Sequence, residues 1–340
     1  MLKYINILVK VLQYSCHPKL ICNDGCREFF YSIYRSQVMA FSQKNVKTKA
    51  KRSEYEYFFV PLQRKNIRKM AKKKILFINQ EISPYVPDTE MSIMGRALPQ
   101  AIQEKGHEIR TFMPKWGNIN ERRGQLHEVI RLSGMNLIID DTDHPLIIKV
   151  ASIQQARVQV YFIDNDDYFS KRQMEKDEMG NDYPDNGERA IFFARGVLET
   201  VKKLRWVPDV IHCQGWMSAV VPLYIKTAYR EEPSFAKTKV VTSLFAKTLT
   251  NDLGTNFKKC VEFREAKAEL LAPYNDNFNF EEMGKLAIDY SDGIVMAAPD
   301  VNETLEQYAK AKGLPLLDYQ EDFADAYEAF YDQICPDEDL

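Results

Sequence analysis

The sequence predicts an α/β protein built on a single Rossmann-like, doubly wound parallel sheet. From residue 74 onwards, short apolar runs typical of buried strands alternate with segments of helical period that are about 10–15 residues long. The 340 residues have an ordinary globular composition, 45% apolar and 28% charged, which argues against a disordered or fibrous chain. The sequence lacks a run of about 18 uncharged apolar residues, so we predict no membrane-spanning helix.

The first half of this pattern contains two predicted strands, a helix and a hairpin. Ile75–Ile78 is a continuous apolar run, which suits a strand buried on both faces. Ser92 is the expected N-cap of the following helix. Alternating residues at 107–112 predict a second strand, and the runs 146–150 and 157–163 predict an inserted β-hairpin.

The second half continues the alternation. The predicted strands are 209–212, 239–244 and 293–297, and the predicted helices are about 188–203, 216–229, 280–290, 301–312 and a C-terminal helix with apolar positions at 323, 326, 327, 330 and 334. Segment 246–280 has weak periodicity and is expected to be rich in loops. Ligands of doubly wound sheets bind beyond the carboxyl ends of the strands. The loops after Asn79, His212 and Leu244 are therefore the predicted site.

Charge divides the chain at about residue 69. Residues 1–69 carry 14 basic and 4 acidic side chains, whereas the remainder carries 32 basic and 44 acidic ones. We expect residues 1–69 to be a basic leader that is either a disordered arm or a misassigned start, with translation beginning at Met70. Residues 70–335 are the predicted domain, and 336–340 form an acidic tail. An acidic body argues against nucleic-acid binding, because phosphate affinity requires clustered cations.

The six cysteines are scattered, which fits reduced thiols in the cytoplasm. Cys16, His17, Cys22 and Cys26 lie close together, but their spacing matches no standard zinc pattern, so we predict no metal site. The sequence also lacks a glycine-rich dinucleotide motif, and no cofactor is predicted.

Six blocks in colinear order carry a family resemblance. They are KKKILFINQEISPY at 72–85, GRALP at 95–99, KGHEIRTFMPKW at 105–116, VYFIDNDDYF at 160–169, DYPDNGERAIFFARGVLE at 182–199 and PDVIHCQGWMSAVVPLY at 208–224. Together they resemble the N-terminal lobe of bacterial glycogen and starch synthases. The resemblance implies a GT-B fold and glucosyl transfer from ADP-glucose to α-1,4-glucan. It extends over one of the family's two lobes, and about 40 residues follow Pro299.

The first loop departs from the family pattern. The family's Lys-Thr-Gly-Gly-Leu-Gly-Asp, which faces the donor diphosphate, aligns with residues 87–93, so Pro87 replaces the lysine and Thr89 and Glu90 replace the paired glycines. Asp88 and Glu90 bring carboxylates to a helix start, where they suit the helix dipole but repel a diphosphate. We therefore expect a self-capped helix here instead of a phosphate cradle.

The second and third loops differ as well. In the family's His-x-His-Asp-Trp, His212 and Trp216 persist, while Gln214 replaces the histidine that the resemblance assigns to the transferred sugar. Glutamine can bond a hydroxyl but cannot carry a proton near pH 7. Leu244 and Phe245 replace the polar pair of Thr-x-His-Asn, so an apolar group there fills the cleft floor or meets a partner chain.

Some family positions are retained. Glu81 survives in the first loop, as do Tyr161 and a polar cluster at Asp182, Tyr183, Asp185, Asn186 and Arg189. We interpret this cluster as structural, with Asp185 or Asn186 as an N-cap and Arg189 paired with a carboxylate. The alternative is weak sugar binding on the acceptor side.

Three functions remain open at this stage. The first is a synthase-derived pseudoenzyme that binds α-glucan or regulates a glucan enzyme. The second is an active glucosyltransferase subunit completed by a separate C-terminal lobe, with Glu81, His212 and Gln214 as sugar contacts. The third is an unrelated Rossmann-like enzyme. An apolar patch around Leu244 and Phe245 would favour a partner lobe.

Overall fold

The computed structural model describes residues 72–254 and 256–336. The leader, its cysteines and residues 337–340 of the acidic tail lie outside the described residues. The strands are β1 Lys74–Asn79, β2 Glu108–Pro114, β3 His127–Glu128, β4 Met135–Ile139, β5 Thr142–Ile153, β6 Val158–Asp164, β7 Val210–Gln214, β8 Lys239–Leu244, β9 Gly293–Met296 and β10 Leu316–Leu317. The α-helices are α1 Glu90–Glu104, α2 Glu121–Gly124, α3 Asn186–Leu204, α4 Val221–Lys226, α5 Phe257–Cys260, α6 Phe280–Asp289, α7 Glu303–Lys312 and α8 Phe323–Ile334.

One sheet organises the domain, with strand order β10-β9-β8-β7-β1-β2-β6-β5-β3. The strands from β10 to β6 are parallel, whereas β5 pairs antiparallel with β6, and β3 and β4 pair antiparallel with β5. This arrangement confirms the predicted α/β class and the inserted hairpin. Strand β1 is central because its apolar run is buried on both faces.

The two faces of the sheet have separate cores. Alternate residues of β1 point to opposite sides: Ile75 and Phe77 pack with α1 and α8, and Leu76 and Ile78 with the larger core on the α3 side. Burying a side chain of this kind contributes about 1.5–3 kcal/mol. The last helix is therefore part of the domain core.

Ion pairs fasten α8 to the start of the domain. The buried Lys73 ammonium donates to Asp332 at 2.6 Å, and Lys105 at the end of α1 contacts Glu328 at 2.7 Å. His107 Nε2 lies 3.5 Å from the same Glu328 carboxylate. These contacts place one face of α8 over the strands that carry the predicted site.

Two helix predictions need correction. The segment 216–229 is not one helix but a 3₁₀ turn at Trp216–Ser218 followed by the six-residue α4. The N-cap of α1 is Thr89 instead of Ser92, which occupies the third helical position. Segment 246–280 is rich in loops as expected: its described residues contain the short α5 and a 3₁₀ turn at Ala268–Leu271 before α6 begins at Phe280. The short strands β3, β4 and β10 were not predicted.

Candidate functional site

Neighbouring strands β8, β7 and β1 end side by side, and their carboxyl ends form the candidate site. Asn79 is in register with Gln214, and Gln214 with Ser243. The Gln80 amide N–H donates to the Gln214 carbonyl oxygen at 3.0 Å, which extends the pairing one residue into the first loop. The three loops named from the sequence are therefore brought together.

The first loop closes the N-terminus of α1 from within. Thr89 Oγ1 accepts from the Ser92 amide at 2.9 Å, and Ser92 Oγ accepts from the Thr89 amide at 2.8 Å, which makes a reciprocal capping box. Asp88 accepts a hydrogen bond from the Ser83 hydroxyl at 2.7 Å. Residues Pro87 to Glu90 are exposed. The helix start thus carries its own acceptor and two outward carboxylates, Asp88 and Glu90.

Glu81 lies beneath this loop and is only 5% exposed. Thr89 Oγ1 donates to its carboxylate at 2.6 Å. Burial raises the pKa of Glu81, the Thr89 hydrogen bond opposes that rise, and the nearby Glu175 adds to it. A Cβ on Gly95 would lie 2.2 Å from the Glu81 carbonyl oxygen, so this glycine allows α1 to approach the loop. Glu81 is held by the loop and helix around it.

His212 is fully buried between the sheet and α8. Its Nδ1 is 2.5 Å from the Tyr331 hydroxyl, and its Nε2 is 2.7 Å from the Ser243 hydroxyl. Burial lowers the pKa of His212 to about 3, so the imidazole is neutral near pH 7. The ring also stacks on Tyr327, with centroids 5.8 Å apart. His212 is a core residue that joins β7, β8 and α8.

Gln214 is also fully buried, and both of its side-chain polar atoms lack a hydrogen-bond partner among the described residues. Asn79, its register partner, donates to the Gly95 carbonyl at 3.1 Å, but its Oδ1 is unpartnered in the same part of the chain. Buried amides without partners carry a desolvation cost of about 1–3 kcal/mol each. The ends of β1 and β7 therefore each carry a buried side-chain amide whose hydrogen-bonding capacity is not satisfied within the described residues.

Glu175 also belongs to this site, although it was not among the residues predicted from the sequence. Its Oε2 accepts from Gln80 Nε2 at 2.8 Å and from Trp216 Nε1 at 3.1 Å, and Thr248 Oγ1 lies 3.5 Å away. Burial raises the pKa of Glu175, and the Trp216 hydrogen bond opposes this rise. Glu175 lies in an aperiodic loop far from the three strands in sequence, so no sequence signal marks it.

The third loop is packed. Leu244 and Phe245 are 5% and 6% exposed, and Phe245 contacts Met91, Ala297 and Ala298. An apolar cavity of about 30 Å³ lies among these loops, lined by residues that include Met91, Trp216, Leu244, Phe245, Phe280 and Leu305. Ligand pockets usually measure about 300–1,000 Å³. In the described residues, Leu244 and Phe245 are therefore packed among the neighbouring loops, and the space between them is much smaller than a ligand pocket.

The retained polar cluster makes internal contacts. Asp185 accepts from Arg172, and the Asn186 amide donates to the Glu175 carbonyl at 2.9 Å. Asp185 is the N-cap residue of α3 by position, but its side chain makes no capping bond. Arg189 does not hydrogen-bond a carboxylate as predicted: it donates to the Tyr168 and Gln173 carbonyls and to Asn186 Oδ1. Tyr161, the other retained position, accepts from Arg110 on β2 at 3.3 Å and donates to Gln159.

Residues 72–254 and 256–336 hold no group of three or more His, Cys, Asp or Glu side chains placed to share a metal ion. In the same ranges, no helix is both long and apolar enough to cross a bilayer.

Comparison with known proteins places this fold in a family. A sequence profile of the starch synthase catalytic domain matches residues 74–315. Glycogen synthases from Chlorobium luteolum and Chlorobaculum tepidum are 38% and 39% identical over 172 residues, which is 50% of this chain and 35% of each relative. The chain therefore covers about a third of the length of these curated relatives.

A solved structure has the same fold. The catalytic domain of starch synthase IV from Arabidopsis thaliana, bound to ADP and acarbose, superposes with a TM-score of 0.60 at 16% identity, covering 73% of this chain and 51% of that chain. The parallel sheet with helices on both faces corresponds to a GT-B glycosyltransferase lobe. Given the profile match over most of the chain, this protein belongs to the glycogen and starch synthase family.

Proposed function

We propose that this protein is a non-catalytic member of the family that acts in storage-glucan metabolism, as a domain that binds α-glucan or regulates an enzyme acting on it. One observation carries the proposal. The N-terminus of α1, which in this family faces the donor diphosphate, is closed by Thr89 and Ser92 and flanked by exposed Asp88 and Glu90.

Glucosyl transfer requires stabilisation of a leaving diphosphate by cations or free backbone donors. Residues 87–93 contain no cation, and the Thr89–Ser92 capping box uses the amides of both residues. Losing one preorganised contact of this kind typically lowers a rate by about 10²–10³. Carboxylates in place of a lysine and glycines add repulsion to that loss.

The second loop supports the same proposal. His212 is buried, neutral and bonded on both ring nitrogens, so it has no free nitrogen for proton transfer or for a sugar hydroxyl. Gln214 is enclosed at the strand end. The side chains of His212 and Gln214 are therefore packed in the domain core and are not exposed to a sugar.

Burial of Leu244 and Phe245 removes the apolar patch that would have favoured a separate second lobe. We therefore prefer the binding or regulatory role over that of an incomplete transferase. The proposal includes a cytoplasmic location, which is supported by the reduced thiols of Cys213 and Cys260.

Calorimetric titration with ADP, ADP-glucose and UDP-glucose tests the donor side. We expect no saturable binding tighter than about 1 mM, which corresponds to about −4 kcal/mol. The matched variant combines Pro87→Lys, Asp88→Thr, Thr89→Gly and Glu90→Gly, which restores the family's cation and glycines, and it should bind ADP more tightly than the natural chain. Micromolar binding of ADP-glucose by the natural chain would contradict the proposal.

Two assays on the full chain test the glucan side. Transfer of labelled glucose from ADP-glucose to glycogen should be absent, whereas co-sedimentation with glycogen should retain the protein if the glucan itself is the partner. Absence of co-sedimentation, with transfer also absent, would leave a regulated enzyme as the partner. Measurable transfer by the purified chain would disprove the non-catalytic role.

A further inference from the structure

Three loops converge on one oxygen atom. Gln80 follows β1, Trp216 follows β7 and Thr248 follows β8, and all three side chains direct a donor at Glu175 Oε2. Gln80 is fully buried and Trp216 is 5% exposed, so these donors are fixed by their surroundings. The loops at the strand ends therefore form a preorganised site for a hydrogen-bond acceptor, and the Glu175 carboxylate of the same chain occupies it.

A hairpin delivers that carboxylate. We name residues 171–185 the strap. Lys176 and Asp182 form a β-bridge, and Asp177 accepts from the Met179 and Asn181 amides to make the turn. Beside the bridge, the Glu175 carbonyl accepts from the Tyr183 amide at 3.1 Å and from Asn186 Nδ2 at 2.9 Å. The strap thus holds Glu175 by its backbone.

The strap also fastens the loop after β8. Asp182 Oδ2 accepts from the amides of Thr250 and Asn251 at 2.7 and 2.5 Å, and Lys176 Nζ donates to Thr250 Oγ1 at 2.9 Å. Glu175 and Asp182 therefore attach the strap at two points, one on the strand-end donors and one on the loop.

We propose that Gln80, Trp216 and Thr248 form a carboxylate-binding site and that the strap is a built-in occupant that closes it. The donors are an amide, an indole and a hydroxyl, and none of them is cationic. Such a set suits a singly charged carboxylate better than a phosphate. When Glu175 withdraws, the same donors take an external carboxylate. This inference does not depend on whether the domain binds glucan or nucleotide sugars.

The test removes the occupant and supplies a replacement. Glu175→Gly leaves the donors in place, and sodium formate or acetate is then titrated into the ¹⁵N-labelled full chain. We expect a saturable shift of one of the three tryptophan indole N–H resonances, assigned to Trp216 by Trp216→Phe, and a rise in melting temperature. Equal concentrations of chloride should produce neither effect. The natural chain should not respond, because Glu175 occupies the site.

The matched control is Glu178→Gly, which removes an exposed carboxylate from the same strap and should give no acetate response. Equal responses in the two variants, or equal effects of chloride and acetate, would overturn the proposal. If Glu175→Gly does not fold, Glu175→Gln provides the second measurement. Its hydrogen exchange should accelerate about tenfold in residues 171–185 and 246–251, and unchanged exchange there would also overturn the proposal.

Discussion

Lowering the pH from 7 to 5 should destabilise this protein through His212. Burial lowers the pKa of His212 to about 3, against 6.5 for the free side chain. The unfolded chain therefore binds a proton between pH 6.5 and 3 that the folded chain cannot bind. The free energy of unfolding is therefore unaffected by the protonation of His212 above pH 6.5, and it decreases as the pH falls from 6.5 towards 3. The slope approaches about 1.4 kcal/mol per pH unit, which gives about 2 kcal/mol between pH 7 and pH 5.

Urea unfolding at pH 7, 6 and 5 measures this effect. Other groups titrate in the same range, so the decisive quantity is the difference between the natural chain and His212→Gln, which keeps one donor and one acceptor for Tyr331 and Ser243. With a denaturant slope of about 2 kcal/mol/M, the difference in midpoint should change by about 1 M. His127→Gln removes an exposed histidine and serves as the matched control. If the pH dependence of His212→Gln equals that of the natural chain, the inference that the imidazole is buried and neutral is wrong.

Further predictions concern the strand ends, and each is checked by urea unfolding. Gly215→Ala should lower the free energy of unfolding clearly more than Gly134→Ala. Both glycines have φ near +84°, but a Cβ at 215 would lie 2.7–2.9 Å from Gln80 and Met91, whereas a Cβ at 134 meets open space. Equal losses in the two variants would exclude the clash. Gln214→Met should be neutral or stabilising, because it removes a buried amide without partners in the described residues. Gln80→Met should lower the free energy of unfolding by about 1–3 kcal/mol, because it removes the side-chain hydrogen bonds to Glu175 and to the Met217 amide. A large loss of stability in Gln214→Met would indicate a bound water or ligand. Glu81→Gln should raise the free energy of unfolding at pH 7, because burial raises the pKa of Glu81 and the folded chain holds the ionised carboxyl at a cost. This gain should disappear below pH 4.5, where the natural carboxyl is protonated in the folded and the unfolded chain alike; a gain that persists at pH 4 would point to another cause.

The strands were readable from the sequence because their burial is complete. Residues 239–244 were predicted as a strand and form β8 with the same bounds, since apolar runs of this length fit the centre of a parallel sheet. The segment after Trp216 was misread as one long helix. Its apolar residues suit a buried helix equally well, and only tertiary packing decides that a 3₁₀ turn precedes α4.

The candidate site was only partly predictable. The family resemblance identified Glu81, His212, Gln214 and Trp216, and all four lie at the strand ends. The role of Glu175 depends on three loops meeting in space, which no local pattern encodes. The N-cap of α1 was misplaced by three residues because Thr89 and Ser92 form a reciprocal pair, and either hydroxyl satisfies the sequence rule.

The seating of α8 on the central strand has a consequence for biosynthesis. Strand β1 is synthesised well before the helix that covers Phe77 and bonds His212, because that helix follows all ten strands in chain order. Until that helix arrives, the nascent domain exposes an apolar sheet face and a polar imidazole without its tyrosine. Premature termination before Phe323 would therefore yield an aggregation-prone chain with an exposed apolar surface, which chaperones would bind or proteases degrade.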